Sequence, residues 1–154
     1  MATPDIAVHQ TDADRLAAEL SVFVERTGWP VSIDTRHQRL IVRTDDAVLD
    51  ALRVRAELAE PIAHEMSMTM LSGPVIRDMS WWTFLTAPRP HGHVELPADL
   101  HHAPIRAVPR GGEVVLPPMS ATEQWQTEPR PDRPLPPWSV VVGLARSVVH
   151  RRGG

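Results

Sequence analysis

Apolar side chains in this sequence recur first every three or four residues and then every second one, which marks a helix followed by strands. Leu16, Leu20, Phe23 and Val24 fall on one helical face. Thr11 before them is a good capping residue, Asp12 and Asp14 suit the positive end of a helix, and Gly28 supplies a stop. A helix is therefore predicted over residues 11–27, with residues 1–10 expected as a flexible lead-in. Val31 and Ile33 then alternate with polar neighbours before the polar stretch at residues 35–38, and the apolar run of Leu40, Ile41 and Val42 between two arginines follows it. That pattern predicts a β-hairpin.

Residues 45–70 admit two patterns. One is a single helix that starts at Asp46 and ends before Pro61; the other is a third strand through residues 51–54 followed by a helix. Leu58, Ile62, Met66 and Met70 stand four apart, and this register favours the second, with Met68 lying off the stripe. Proline inside a helix costs about 3 kcal/mol, so Pro61 is expected in the first turn, with the helix starting at residues 58–60. Ser72, Gly73 and Pro74 form a break. Residues 80–86, Ser-Trp-Trp-Thr-Phe-Leu-Thr, read as a buried central strand.

After a loop and one helical turn at residues 96–100, residues 105–108 and 113–116 are expected to pair as a second hairpin across Gly111 and Gly112. Trp125 sits in a short segment that reads as one more strand. Five prolines between residues 128 and 137 predict an extended crossing segment. A closing helix over residues 138–150 follows, with Val141, Leu144, Ala145 and Val148 facing inward and Arg146, His150, Arg151 and Arg152 toward its negative end. The sum is an α+β fold: a mostly antiparallel sheet with N-terminal, middle and C-terminal helices packed on it, in a single domain of residues 1–154.

Composition narrows the function classes. The chain has 154 residues, of which 42% are hydrophobic and 23% charged, and a formal charge of −3, which argues for no strong attraction to nucleic acid or membranes. Having no cysteine, it has no disulfides and no cysteine-based metal sites. All 16 basic residues are arginine, while Lys, Asn and Tyr, which use A/T-rich codons, are missing. A GC-rich, actinobacterial type of genome follows, so the arginine content is not in itself a sign of phosphate binding. No basic segment followed by an apolar run opens the chain, and no run approaches the ~18 apolar residues of a bilayer span. A cytoplasmic protein without a membrane partner is expected.

Candidate chemistry is sparse. His91, His93, His101 and His102 crowd into one loop, and imidazole is the commonest metal ligand, but adjacent side chains such as His101 and His102 diverge. Asp12 and Asp14 are explained by a helix start, and Asp45 and Asp46 by a turn. Ser120, Ser139 and Ser147 lack a nucleophile-elbow pattern. Arg110 before Gly111 and Gly112 offers a guanidinium and backbone N–H groups to a phosphate, though a plain turn explains the glycines. Trp81 and Trp82, as neighbours on a strand, must face opposite sides. One belongs to the core; the other faces a second layer, a partner or a ligand.

The stretch Gly111-Gly112-Glu113-Val114-Val115-Leu116-Pro117-Pro118, then Gln124-Trp125, Pro129 and Leu135-Pro136-Pro137-Trp138, resembles the closing part of the primase–polymerase domain of bacterial bifunctional DNA primase/polymerases. Gly28-Trp29-Pro30-Val31 is similar to its beginning. The likeness spans about a third of the chain, and the Asp-x-Asp metal strand of that family has no counterpart here. It therefore implies a shortened, catalytically dead relative, with no catalytic residue carried over.

The resulting expectation is a non-enzymatic binding or regulatory module without a cofactor, acting on a protein partner or on a second copy of itself. Its face would carry the outward member of Trp81 and Trp82, bordered by the loop of residues 91–102. Two alternatives stand beside it: a nucleotide or nucleic-acid binder with Arg106 and Arg110 on phosphates, and a metal-dependent enzyme using His91, His93, His101 and His102.

Overall fold

The computed structural model describes residues 4–45, 47–90 and 96–153, with side chains from residue 12 onward. In chain order the elements are α1 (Pro4–Thr27), β1 (Ser32–Asp34), β2 (Arg39–Arg43), β3 (Asp50–Arg55), α2 (Ala56–Ser67), β4 (Val75–Ile76), β5 (Trp81–Thr86), a single 3-10 turn (Ala98–Leu100), β6 (Ile105–Ala107), β7 (Glu113–Leu116), β8 (Trp125–Thr127) and α3 (Trp138–Gly153). The fold is α+β, with two antiparallel sheets in place of the single sheet expected from the pattern.

The first helix begins at Pro4, well before Thr11. Thr11 is thus an interior residue and residues 4–10 are helical, a correction to the expected flexible lead-in. The reason is visible in the sequence: proline has a pre-set helical φ, and no breaker separates position 4 from Thr27. The other end is as expected. Gly28 takes φ 71° and donates its N–H to the Val24 carbonyl at 2.9 Å, the left-handed turn that closes a helix. Thr27 Oγ1 donates to the Phe23 carbonyl and accepts from the Trp29 N–H, which fixes the exit of the chain.

β1 and β2 form the expected hairpin, with Ile33 opposite Leu40. The second expected hairpin does not exist. β6 pairs with β3, whereas β7 pairs with β2, in the other sheet. Gly111 takes φ 78° and donates to the Thr44 carbonyl, the Thr44 N–H bonds the Gly112 carbonyl, and Val108 bonds back to Ala51. The two glycines therefore carry the chain from one sheet to the next. A side chain at Gly112 would meet the Pro109 carbonyl at 2.7 Å.

The third strand and following helix form as the four-residue register predicts, with Leu58, Ile62 and Met66 buried. The helix starts earlier than expected, at Ala56, so Pro61 lies inside it and not in its first turn. Pro61 therefore has no N–H to donate to the Glu57 carbonyl one turn earlier. Met70 is a further correction: the helix ends at Ser67, and Met70 is 95% exposed.

Three layers result. α2 and α3 cover one face of the five-stranded sheet, whose order is β6-β3-β5-β4-β8. Leu52, Val54, Trp82 and Phe84 point into that layer and meet Ile62, Met66, Val141 and Ala145. The three-stranded sheet β1-β2-β7, with Phe23 of α1, packs on the other face over Ala51, Leu85, Ile76 and Trp125. Leu144 of α3 is only partly buried. The proline-rich crossing segment anchors by its Pro136 carbonyl, which accepts from Ala87 N–H at 2.8 Å. Among the described residues, no helix is long and apolar enough to cross a membrane.

Candidate functional site

The small sheet covers only one end of the large sheet's second face. Along β3, Ala51 is buried under it, while Arg53 and Arg55 on the same side of the strand are exposed. Register places Arg53 opposite Thr83 of β5 on one side and Arg106 of β6 on the other, and Arg55 opposite Trp81. Strand alternation thus collects Arg53, Arg55, Arg106, Trp81 and Thr83 on one uncovered shelf. The two tryptophans diverge as parity requires: Trp82 is 8% exposed among the core side chains, and Trp81 lies half-buried on the shelf.

Between this shelf and β7 lies an open cleft of about 340 Å³, lined by Arg53, Arg77, Trp81 and Thr83 on one side and by Glu113 and Val115 on the other. β7 is an outer strand of its sheet, and Val115 is 42% exposed. The Arg53 guanidinium carbon sits 5.6 Å from the Trp81 ring centroid, a cation–π contact. Arg77 donates one guanidinium N–H to the Glu123 carbonyl at 2.8 Å, and its backbone N–H bonds Gln124. Its Nε is buried and has no acceptor among the described residues. Both carboxylates of the cleft are engaged: Glu113 pairs with Arg43 at 2.9 Å, and Asp78 accepts its neighbour's N–H at 2.7 Å.

Arg106 and Arg110 do not line this cleft. Arg106 turns its guanidinium back to the carbonyls of Ala103 and Ile105, at 3.1 and 2.8 Å. Arg110 is exposed at the turn that leads to Gly111. His91 and His93 lie outside the described residues, whereas His101 and His102 are both exposed, with His101 Nε2 3.0 Å from the Leu96 carbonyl. Among the described residues, no three His, Asp or Glu side chains gather for a metal ion. Asp12 pairs with Arg15 and Asp45 accepts from the Ala47 N–H, so each serves its own element. Ser120, Ser139 and Ser147 are exposed.

One polar constellation escaped the sequence altogether. Asp50 and Arg89 are a buried ion pair, 3% and 5% exposed. Asp50 Oδ2 accepts from Arg89 Nε at 2.5 Å and from its backbone N–H at 3.2 Å, and Oδ1 accepts from the guanidinium and from the Ala51 N–H. The same guanidinium donates to the Val108 carbonyl and lies 4.5 Å from the Trp138 ring. It is a structural knot, joining β3, the end of β5, β6 and α3. Two surface carboxylates, half-buried Asp34 and exposed Asp99, are held below their ordinary range by hydrogen bonds: Asp34 by His37 and Arg39, and Asp99 by His150 and Arg146.

Compared with family models, curated proteins and solved structures, the chain matches none.

Proposed function

We propose that this chain is a non-catalytic binding module and that the Trp81 cleft receives single-stranded nucleic acid, one base against the Trp81 indole and its phosphates along Arg53 and Arg77. The observation that carries the reading is the pairing, in one cleft, of a half-buried but accessible indole with the exposed guanidinium of Arg53 over its ring. Indoles stack on any base, a contact worth about 1–3 kcal/mol per base. The arginine already over Trp81 adds a second flat surface for a base. Catalysis is not part of the reading, since the two cleft carboxylates are tied to Arg43 and to a backbone N–H. The resemblance to a primase–polymerase domain without its metal strand agrees with a binder that performs no chemistry.

The test is anisotropy of a labelled oligothymidylate titrated with the full chain at several salt concentrations. Trp81→Ala is expected to weaken binding about 5- to 150-fold, the range of one lost stack. Arg77→Met is expected to lower the salt slope by about 0.7, the value for one phosphate contact on a single strand. Binding unchanged in both variants would remove the cleft from the interaction. Absence of binding altogether would leave the outer strand β7 and Val115 as a protein-docking edge.

A further inference from the structure

A second cleft, remote from Trp81 in its lining, carries an independent inference. It has a volume of about 260 Å³ and is lined by Arg26, Arg130 and Arg133, with Glu128, Trp29 and the walls of Pro129 and Pro134 among its other residues. Two elements deliver the three guanidiniums. Arg26 stands in the last turn of α1. Arg130 and Arg133 are the ends of a turn closed by the Arg133 N–H to the Arg130 carbonyl at 3.3 Å, with Pro131 and Asp132 between them. Proline second and aspartate near it suit such a turn, which brings its first and last residues together.

Several other arginines pair with carboxylates: Arg15 with Asp12, Arg39 with Asp34, Arg43 with Glu113, Arg55 with Glu57, Arg146 with Asp99 and Arg151 with Glu65. Arg26, Arg130 and Arg133 are different. Among the described residues none of the three has a carboxylate within ion-pair distance, although all border one concavity. Like charges held around a shared space repel, and an anion in that space relieves the repulsion. Three guanidiniums and one carboxylate leave a double positive charge, which a phosphate dianion neutralises. Guanidinium forks also match the oxygen geometry of phosphate. The proline-rich wall restricts the backbone before binding, which lowers the entropy lost on association.

We infer that the cleft of Arg26, Arg130 and Arg133 is a binding site for the phosphate group of a small molecule. Free phosphate, a phosphoanhydride and a nucleotide monoester share that chemistry. Calorimetric titration of the full chain with inorganic phosphate, pyrophosphate and AMP, at constant ionic strength, separates them by order of affinity. Saturable binding of at least one is expected, weakened about tenfold or more in the Arg130→Gln/Arg133→Gln variant and unchanged in Trp81→Ala. Because the substituted side chains are exposed, the fold is expected to persist, with circular dichroism as the check. Non-saturating heats for all three anions, or equal affinity in the double variant, would overturn the assignment. Oligothymidylate binding at the Trp81 cleft stays intact in the double variant, so failure of one site is read separately from failure of the other.

Discussion

At the residue scale, the most consequential contact is between two side chains far apart in the sequence. Asp50 stood at the edge of a predicted strand and Arg89 in a loop, and no local pattern links them. Their pairing depends on β3 and β5 lying side by side, with Asp50 opposite Thr86. Removing one partner of a buried pair leaves an uncompensated charge and costs about 3–5 kcal/mol. Arg89→Met is therefore expected to lose that much stability in urea denaturation. The Asp50→Leu/Arg89→Met double variant is expected to recover part of it, because both charges leave together. Equal losses in the single and double variants would count against the pair as the cause. By contrast, the divergence of Trp81 and Trp82 was legible from strand parity alone. Which one faces outward was not, since that depends on which end of the sheet the second layer covers.

At the scale of elements, the sequence was legible wherever a periodic run was long. The first helix, the β1–β2 hairpin, β3 followed by α2, the central strand and α3 all read correctly from apolar spacing. The misreadings have physical causes. Met70 continued a four-residue register, yet backbone bonds from Met68 and Thr69 to Glu65 and Met66 close the helix before it. Pro61 is tolerated inside α2 because packing of Leu58, Ile62 and Met66 outweighs one lost hydrogen bond. The seam between α3 and the Ala98–Leu100 turn makes a prediction of its own. Asp99 Oδ2 lies 2.8 Å from His150 Nε2 and accepts from Arg146 Nε at 2.9 Å. These bonds, His150 first, hold its carboxyl below the ordinary 3.8. A lowered folded value means that the contribution is complete above about 3.8 and is lost as pH falls through the folded value. The stability advantage of the wild type over Asp99→Asn is thus expected to be present in the mildly acidic range above that pH and to vanish as pH falls further. Denaturant melts across the acid range measure it, and an advantage that grows toward low pH would reverse the sign.

For the whole molecule, the unread feature was the division into two sheets. Residues 105–116 carry every local mark of a hairpin, and only the long-range pairings of β6 with β3 and β7 with β2 separate its arms. That separation is what creates the Trp81 cleft, since β7, carried to the second layer, becomes the cleft's far wall. A site made by two layers meeting has no signature along the chain. Arg53 and Arg77 accordingly carry no mark in the sequence, whereas Arg106, offered there as a phosphate contact, is bonded to backbone carbonyls. The most direct measurement is the indole N–H spectrum of the full chain, whose five tryptophans give separate signals, with Trp81→Phe assigning one of them. On titration with oligothymidylate the Trp81 signal is expected to move progressively to saturation while the buried Trp82 signal holds its place. A Trp81 signal that stays fixed through the whole titration would contradict the account.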